Sequence, residues 1–466
     1  MGSHVASIFK SFFEVEKHER LKLLLLTISF FVIIGSYTLA KELKDSIFAS
    51  IVGREHIWEA KILFIIIMIP AIFLYSKLVD KLRRYKLLSF YSLAYALIGL
   101  TFTVLLAHPT IGLPNTQASP YRLFGWLFYF FVEGFSPFVV GLFWAFANSV
   151  TSPGGAKRNY GLMVSGSKLG GMLTAAFAWV LLSLSDTYGY ALTDTFKHQI
   201  LLGLASVMLL FVPFFIYMLI KRVSGKELHG YEAVYKVEKK RAKEGKAQTG
   251  VFAGLKMFIQ YPYVFGIFSI VFFYEVIHSV LSYQRVGMAQ EHSVNISQTS
   301  TYLFKLIFLT HLVGFFISLF GTKALLEKLG ERLCLLLVPL TTAVLFIYFF
   351  FSTTQFAFLA FYVALRSIHY GFSYPVRESL YIPTIKEMKF KSKSWIDAFG
   401  TKFAKSTGSV FNGLTTSFDA ALFLTAQSFF FGAMLILWVI AAYLLGKRFE
   451  KAISRGEVIG LAADER

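Results

Sequence analysis

Apolar stretches of about 20 residues recur along the whole sequence, and they restrict the fold more than any other feature. A stretch of this length crosses the hydrocarbon core of a bilayer as an α-helix, because a helix satisfies its backbone hydrogen bonds internally. A membrane β-barrel would instead show alternating segments of about ten residues. Only 16% of the 466 residues are charged, against about a quarter in soluble proteins. The sequence therefore predicts an all-α integral membrane protein.

We predict twelve membrane spans, and their approximate bounds are 21–43, 60–79, 87–107, 123–148, 160–183, 199–220, 259–284, 301–321, 332–352, 355–374, 398–417 and 422–446. Basic residues cluster in alternate connections, so both termini are expected in the cytoplasm. The longest polar segment, 221–256, follows the sixth span and is expected to be a cytoplasmic connector. The predicted domains are therefore residues 1–220, the connector 221–256, and residues 257–466.

A repeat with constant spacing divides the predicted spans into two sets of six. It relates three features that each recur 237 residues later: Gly134-Phe135-Ser136 as Gly371-Phe372-Ser373, Tyr37 as Tyr274, and Lys168 as Lys405. Parallel six-helix repeats that enclose a binding site near the membrane midplane are the architecture of major facilitator transporters. We therefore expect two pseudo-symmetric six-helix halves of this kind.

Basic residues outnumber acidic ones inside the predicted spans. A charge in a membrane helix costs roughly 2.5–3.5 kcal/mol on insertion scales, so it usually serves a function. A phosphorylated ligand with several negative charges would neutralise several lysines together, and we expect Lys168 and Lys405 to bind such an anion. Lys41 and Lys61 lie near the ends of spans, where a lysine can instead extend its ammonium group to interfacial water.

Other candidate site residues in the spans are acidic, aromatic or histidine. Glu133 and Glu275 are expected either to pair with lysines as part of the structure or to act in gating and coupling. His369 is expected to be a hydrogen-bonded helix residue or a proton carrier. Further candidates, either charged or able to stack on a purine base, are Arg366, Lys402, Tyr37, Phe135, Tyr274 and Phe372.

Motifs of soluble enzymes are absent from the sequence. There is no Walker GxxxxGK[ST] motif, HExxH motif, nucleophile elbow or dinucleotide fingerprint, so nothing indicates that a bound nucleotide is hydrolysed. The single cysteine, Cys334, excludes internal disulfides and CxxC metal sites. We predict that the protein is not an enzyme, binds no metal or cofactor, and has no nucleic-acid partner.

Six segments carry more specific motifs: Lys41-Glu42-Leu43-Lys44-Asp45, Glu133 with Leu142-Phe143-Trp144-Ala145-Phe146-Ala147-Asn148, Ala156-Lys157-Arg158-Asn159-Tyr160, Tyr274-Glu275-Val276, Arg377-Glu378-Ser379-Leu380-Tyr381-Ile382-Pro383, and Ala404-Lys405-Ser406. Together they resemble the plastid and intracellular-bacterial nucleotide transporters, the ATP/ADP antiporters that are unrelated to mitochondrial carriers. The resemblance extends from about residue 36 to residue 410.

This resemblance implies an ATP/ADP antiporter that works by alternating access. The four charges on which transport depends in that family would fall on Lys44, Glu133, Glu275 and Lys405. Lys44 and Lys405 would contact phosphates, and the two glutamates would pair with lysines in the unloaded carrier. We expect Lys41 and Lys168 to contact phosphates as well, but Lys168 matches no residue of the family, and its role follows from the internal repeat alone. Secondary positions of the same site would be Lys402, Asn148, Arg366, His369 and Tyr274.

The sequence also departs from the family pattern. His278-Ser279 stands where the pattern has Trp-Lys, and His369 stands where it has Lys. A proton-coupled nucleotide importer therefore remains an alternative, with Glu133, Glu275 or His369 carrying the proton. A nucleotide-binding membrane receptor or a lipid scramblase is the alternative from a different class. We expect a monomer in the inner membrane of a bacterial cell.

Overall fold

A computed structural model of the chain describes residues 19–151, 153–188, 192–224, 228, 260–318, 322–352, 354–381, 383–384 and 392–460. In these ranges the regular secondary structure is helical, apart from one isolated bridge between Thr384 and Ile459. Residues 225–227 and 229–256 of the predicted connector lie outside the described residues, as do residues 1–18.

The described part of residues 19–222 forms seven α-helices: α1 (Arg20–Phe48), α2 (Ile57–Lys81), α3 (Arg84–Leu105), α4 (Leu123–Glu133), α5 (Gly141–Val150), α6 (Pro153–Tyr188) and α7 (Asp194–Arg222). Between α1 and α2 the chain turns at Gly53, whose φ of 121° is accessible to glycine at little steric cost. α7 begins after Thr193, because its side chain accepts a hydrogen bond from the N–H of Phe196.

The described part of residues 260–460 forms eight more: α8 (Pro262–Glu291), α9 (Ile296–Phe316), α10 (Thr322–Ser352), α11 (Gln355–Ile368), α12 (Tyr374–Ser379), α13 (Lys393–Trp395), α14 (Thr401–Leu414) and α15 (Ala420–Ser454). α10 is kinked at Gly330, where φ is 72°. Thr354 and Asp419 cap α11 and α15 with their side chains, so these helices start where the sequence supplies an N-cap oxygen.

Both copies of the Gly-Phe-Ser repeat lie at π-helical turns. Ser136 of the first copy begins the turn Ser136–Val140 between α4 and α5. The second copy ends the turn His369–Ser373 between α11 and α12. A π-helical turn widens a helix locally and is frequent at functional sites. The two copies thus share a local distortion as well as a sequence.

Nine helical segments of the described ranges are long and apolar enough to cross a membrane: Arg20–Ile72, Arg84–Leu105, Leu123–Val150, Leu162–Leu184, Asp194–Arg222, Pro262–Glu291, Ile296–Phe316, Lys328–Ser352 and Ala420–Ser454. The first of these contains the first predicted span and most of the second. Predicted spans ten and eleven do not appear among them. That the chain has twelve membrane spans remains a prediction.

The chain divides into two compact units. The first is drawn from residues 1–52, 69–247 and 293–311, and the second from residues 53–68, 248–292 and 312–466. The beginning of α2 therefore belongs to the second unit, and most of α9 belongs to the first. The division into residues 1–220 and 257–466, which the sequence repeat and the polar connector suggest, remains a prediction.

Glycines allow one close helix contact in each unit. In the first unit, Gly170 of α6 faces the backbone carbonyl of Phe31 in α1, and a Cβ atom there would overlap that oxygen. In the second unit, a Cβ atom on Gly408 of α14 would lie 2.5 Å from the carbonyl oxygen of Val276 in α8. Small residues permit such backbone approach between membrane helices. The two contacts fix the helices that carry the candidate charges.

Candidate substrate site

Lys44 is buried, and it forms an ion pair within the first unit. Its Nζ lies 2.8 Å from Oε2 of Glu133 and 3.2 Å from Oδ1 of Asp45. The Lys44 side chain is 4% exposed and that of Glu133 is 15% exposed. Nζ also lies 4.1 Å from the centre of the Tyr129 ring, a favourable position for a cation.

The local structure explains how Glu133 reaches this position. It is the last residue of α4, one helical turn after Tyr129, so both side chains lie on the same face. The chain then enters the π-helical turn Ser136–Val140, whose second residue, Pro137, has no N–H to continue the regular pattern of helical hydrogen bonds. Glu133 therefore stands next to a local distortion, and its carboxylate is directed to α1.

Lys405 forms the corresponding contact within the second unit. Its Nζ lies 3.9 Å from Oε2 of Glu275, and 25% of the lysine side chain is exposed. The same Oε2 lies 3.6 Å from Nδ1 of His278, one turn further along α8. Among the residues that the structure describes, this oxygen has no hydrogen-bond partner within normal distance. The pair is therefore looser and more accessible than the pair of Lys44 and Glu133.

Ser279 connects the helices that carry this second pair. Its Oγ donates a hydrogen bond to the backbone carbonyl of Lys405 at 2.8 Å and lies 3.1 Å from Oγ of Ser409. These contacts, with the approach of Gly408 to Val276, hold α8 against α14. Glu275 lies one helical turn before Ser279 and therefore faces the same helix.

A group of buried aromatic and basic side chains adjoins Glu275 in the second unit. The rings of Tyr274 and His369 are parallel, with centroids 3.4 Å apart. Arg366 Nη1 donates to the hydroxyl of Tyr362 at 2.7 Å, and the Arg285 guanidinium lies 5.2 Å from the centre of the same ring. All five side chains are buried. Tyr274, His369 and Arg366, predicted as secondary site residues, therefore lie within one group.

The other predicted residues are more dispersed. Lys41 is half-buried, with Nζ 5.8 Å from the centre of the Tyr37 ring. Lys402 is buried, with Nζ 4.9 Å from the Phe64 ring. Lys168 is half-buried on α6, and Asn148 is exposed near the end of α5. Among these predicted site residues, Lys44 contacts Glu133 in the first unit and Lys405 contacts Glu275 in the second, and these are the two lysine–glutamate contacts of the candidate site.

Sequence reasoning missed several polar contacts. Tyr129 was not predicted near Lys44, although its position four residues before Glu133 is a signal for a shared helix face. A chain of hydrogen bonds in the first unit was also missed: Ser300 Oγ lies 2.8 Å from His198 Nε2 and donates to Ser46 Oγ at 2.8 Å. These three residues lie on different helices, and nothing in the sequence indicates that they meet.

Comparison with known proteins identifies the type of protein. The sequence model described as TLC ATP/ADP transporter matches residues 2–365. The chain is 24% identical over 511 residues to ADP,ATP carrier protein 1 of Rickettsia bellii (strain RML369-C), an alignment that covers 98% of each chain. It is 23% identical over 508 residues to the protein of the same name from Rickettsia typhi (strain ATCC VR-144 / Wilmington), again with 98% of each chain covered.

The fold agrees with these relationships. The crystal structure of a D-xylose-proton symporter has a TM-score of 0.63 to this chain at 12% identity, and it covers 92% of this chain and 97% of the other. The predicted all-α membrane fold of major facilitator type is confirmed, as is the prediction of a transporter rather than an enzyme. With a family match that covers most of its length, this multi-pass membrane protein belongs to the TLC ATP/ADP transporter family.

Proposed function

We propose that the protein exchanges ATP for ADP across a membrane by alternating access, and that the phosphate chains bind to the lysines of the two lysine–glutamate contacts. The observation that carries this proposal is the contact between Lys405 and Glu275, which is long at 3.9 Å and partly exposed. A phosphate group offers a lysine a stronger, shorter contact than this carboxylate does. Incoming nucleotide can therefore displace Glu275 from Lys405.

Strict exchange follows from this competition. In the unloaded carrier the glutamates hold the ammonium groups, and the buried pair of Lys44 and Glu133 resists separation. Only a ligand that neutralises the lysines makes the change between the two open states favourable. ATP and ADP both carry several negative charges, so either can complete half of the cycle. The family and the printed names of its relatives favour exchange over proton-coupled import, and over a receptor or a scramblase.

We also propose an orientation and a location. Basic clusters such as Lys81 to Lys86 and the C-terminal residues from Lys447 support cytoplasmic termini. The similar proteins come from Rickettsia, a bacterium, and we propose the inner membrane of a bacterial cell as the location. We expect the protein to act as a monomer in the lipid bilayer.

Uptake of labelled ATP into proteoliposomes tests the exchange mechanism. We expect rapid uptake into vesicles that contain ADP, and little uptake into vesicles without internal nucleotide, because the unloaded carrier changes state slowly. A pH gradient imposed on vesicles without nucleotide should not replace internal ADP. Equal uptake into empty vesicles would contradict exchange, and uptake driven by the pH gradient alone would support the proton-coupled alternative.

The role of Lys168 is a separate prediction, because it depends on the sequence repeat. Lys168→Ala is expected to weaken ATP binding by about ten-fold, the effect of losing one charged contact. The measurement is the concentration of ATP that gives half-maximal exchange, with Lys168→Arg as the control that keeps the charge. An unchanged value in Lys168→Ala would show that this lysine does not contact phosphate.

A further inference from the structure

A groove lies between α3 and α7 in the first unit. Its volume is about 400 Å³, and the residues that line it include Lys86, Ser89, Phe90, Leu93, Pro213 and Tyr217. None of them belongs to the candidate substrate site. Both helices are long and apolar enough to cross a membrane, and Phe90 and Tyr217 are 50% and 60% exposed. The groove is therefore on a surface that lipid can reach.

The sequence places residues of the groove in two rows, and each row ends in a lysine. On α3, Lys86, Phe90 and Leu93 are four and three residues apart, so they share one face of the helix. On α7, Tyr217 and Lys221 are four residues apart and share a face in the same way. In each row the lysine lies next to a predicted cytoplasmic connection, and the apolar residues lie further into the span.

Contacts between α3 and α7 explain where the groove begins. Gly99 of α3 lies directly against Ser206 of α7, with no room for a Cβ atom. Gln199 Nε2 donates to the backbone carbonyl of Thr103 at 2.8 Å. Pro213 lies beyond these contacts within α7, where it lacks the N–H of a regular helix and its ring displaces the preceding turn. The helices are therefore held together near the end of α3 and the beginning of α7, and the groove lies near their opposite ends.

Two ammonium groups belong to this groove. Lys86 is exposed and lines it directly. Nζ of Lys221 lies 5.7 Å from the centre of the Tyr217 ring, which also lines the groove. In the proposed orientation both lysines lie at the cytoplasmic surface of the membrane. Anionic headgroups of that leaflet attract lysines there.

We propose that this groove binds an anionic glycerophospholipid, with its headgroup phosphate on Lys86 and Lys221 and one acyl chain along Phe90, Leu93 and Tyr217. Seven residues separate Lys86 from Leu93, a rise of about 10 Å along α3, which fits within the roughly 15 Å of one hydrocarbon leaflet. A free phosphate would bind the lysines but leave the apolar lining uncovered. A zwitterionic lipid would cover the lining but carries a cation of its own. The site goes beyond nucleotide exchange and rests on the proposed orientation.

Native mass spectrometry of the full chain in detergent tests the preference for an anionic lipid. The protein is titrated with phosphatidylglycerol or with phosphatidylcholine of the same acyl chains. We expect the half-saturating concentration for the first bound lipid to be about ten-fold lower for phosphatidylglycerol, because two lysines contribute. Equal affinity for the two lipids would indicate ordinary contact with surrounding lipid and would overturn the proposal.

Removal of the two charges tests the headgroup contact. Lys86→Gln/Lys221→Gln should raise the half-saturating concentration of phosphatidylglycerol about ten-fold, to the value for phosphatidylcholine. The matched control is Lys447→Gln/Lys451→Gln, which removes two exposed lysines of α15 that do not line the groove, and it should bind like the wild type. Unchanged binding in the first variant would overturn the proposal, and so would an equal loss in both variants.

Filling the groove tests the acyl-chain contact. Ser89→Phe adds a ring to the lining and keeps both lysines, so it should weaken binding of phosphatidylglycerol about as much as loss of the charges does. Ser89→Ala is the control and should bind like the wild type. If Ser89→Phe does not fold, Leu93→Trp at an exposed position replaces it. Unchanged binding in the filled variant would mean that the lipid is held outside the groove, which would overturn the proposal.

Two further outcomes would assign the groove to another occupant. Inorganic phosphate added to the complex should not release the lipid, because it cannot cover the apolar lining, and release would point to a simple anion site. The spectrum should show one chain with lipid bound. A dimer without lipid, dissociated by Ser89→Phe, would assign the groove to a second copy of the chain. Either result would overturn the lipid assignment.

Discussion

Replacement of Glu133 by glutamine is expected to slow nucleotide exchange by about a hundredfold or more without weakening ATP binding. Breaking a buried ion pair by removing one partner costs about 3–5 kcal/mol, because a charge remains uncompensated. In Glu133→Gln that charge is Lys44, whose Nζ lies 2.8 Å from the lost carboxylate and has a more distant carboxylate in Asp45. Bound phosphate would supply the missing charge, so the loaded state should be favoured and release should become slow.

Two measurements check this expectation. The exchange rate in proteoliposomes should fall, and the apparent melting temperature without nucleotide should fall as well, with a larger increase on addition of ATP than in the wild type. The matched control is Glu450→Gln, which removes a contact of 2.7 Å to Arg332 at an exposed position. Surface pairs contribute about 0–1 kcal/mol, so this variant should behave like the wild type. Exchange at the wild-type rate by Glu133→Gln would refute the gating role.

The sequence predicts the helices and the charged candidates, because hydropathy and charge are local properties. Apolar stretches of sufficient length have few alternatives in a membrane. The π-helical turns were not predicted, yet they lie at both copies of a repeat that the sequence displays. Tyr37 and Tyr274, the other pair in that repeat, each stack on a ring at these turns, Phe135 and His369 respectively.

The sequence predicts that the two glutamates pair with lysines, but it cannot predict which lysine pairs with which glutamate, since this depends on which helices meet. Lys44 and Glu133 are 89 residues apart, and Lys61 and Ser279 are 218 residues apart. The direction of a long lysine side chain is set by its tertiary neighbours, so the position of Lys61 near a span end was ambiguous. Ser279 and the packing of α2 on α14 resolve that ambiguity in the folded chain.

The sequence repeat relates Lys168 to Lys405, but it does not relate Glu275 to a second acidic residue. Lys405 contacts Glu275, and the repeat spacing of 237 relates Glu275 to Thr38, since 275 minus 237 is 38. Thr38 has no charge, and its Oγ1 lies 3.3 Å from Nε2 of His311. Lys168 therefore lacks an acid at the position that corresponds to Glu275. The two lysines are alike in sequence position, but their acidic partners are not repeated.

The second large effect is expected for Lys405→Met, which should reduce exchange to the background of protein-free vesicles. The physical reason for this loss of exchange differs from the reason given for Glu133→Gln. The side chain of Lys405 is partly exposed and its contact with Glu275 is 3.9 Å long, so its loss should change the melting temperature little. Transport should nevertheless fail, because the principal phosphate contact is gone. Lys405→Arg keeps the charge and should retain part of the activity. Normal transport by Lys405→Met would refute the site.

The combination of Lys405→Met with Glu275→Gln asks whether the glutamate acts through the lysine. Both residues are in contact, so their effects should not be additive if they work as a unit. We expect the double variant to exchange nucleotide no more slowly than Lys405→Met, and to be at least as stable as Glu275→Gln, which leaves Lys405 without its carboxylate. The measurement is the residual rate of nucleotide exchange, in assays with enough protein to resolve it. A further loss in the double variant would mean that Glu275 acts independently, through His278 at 3.6 Å.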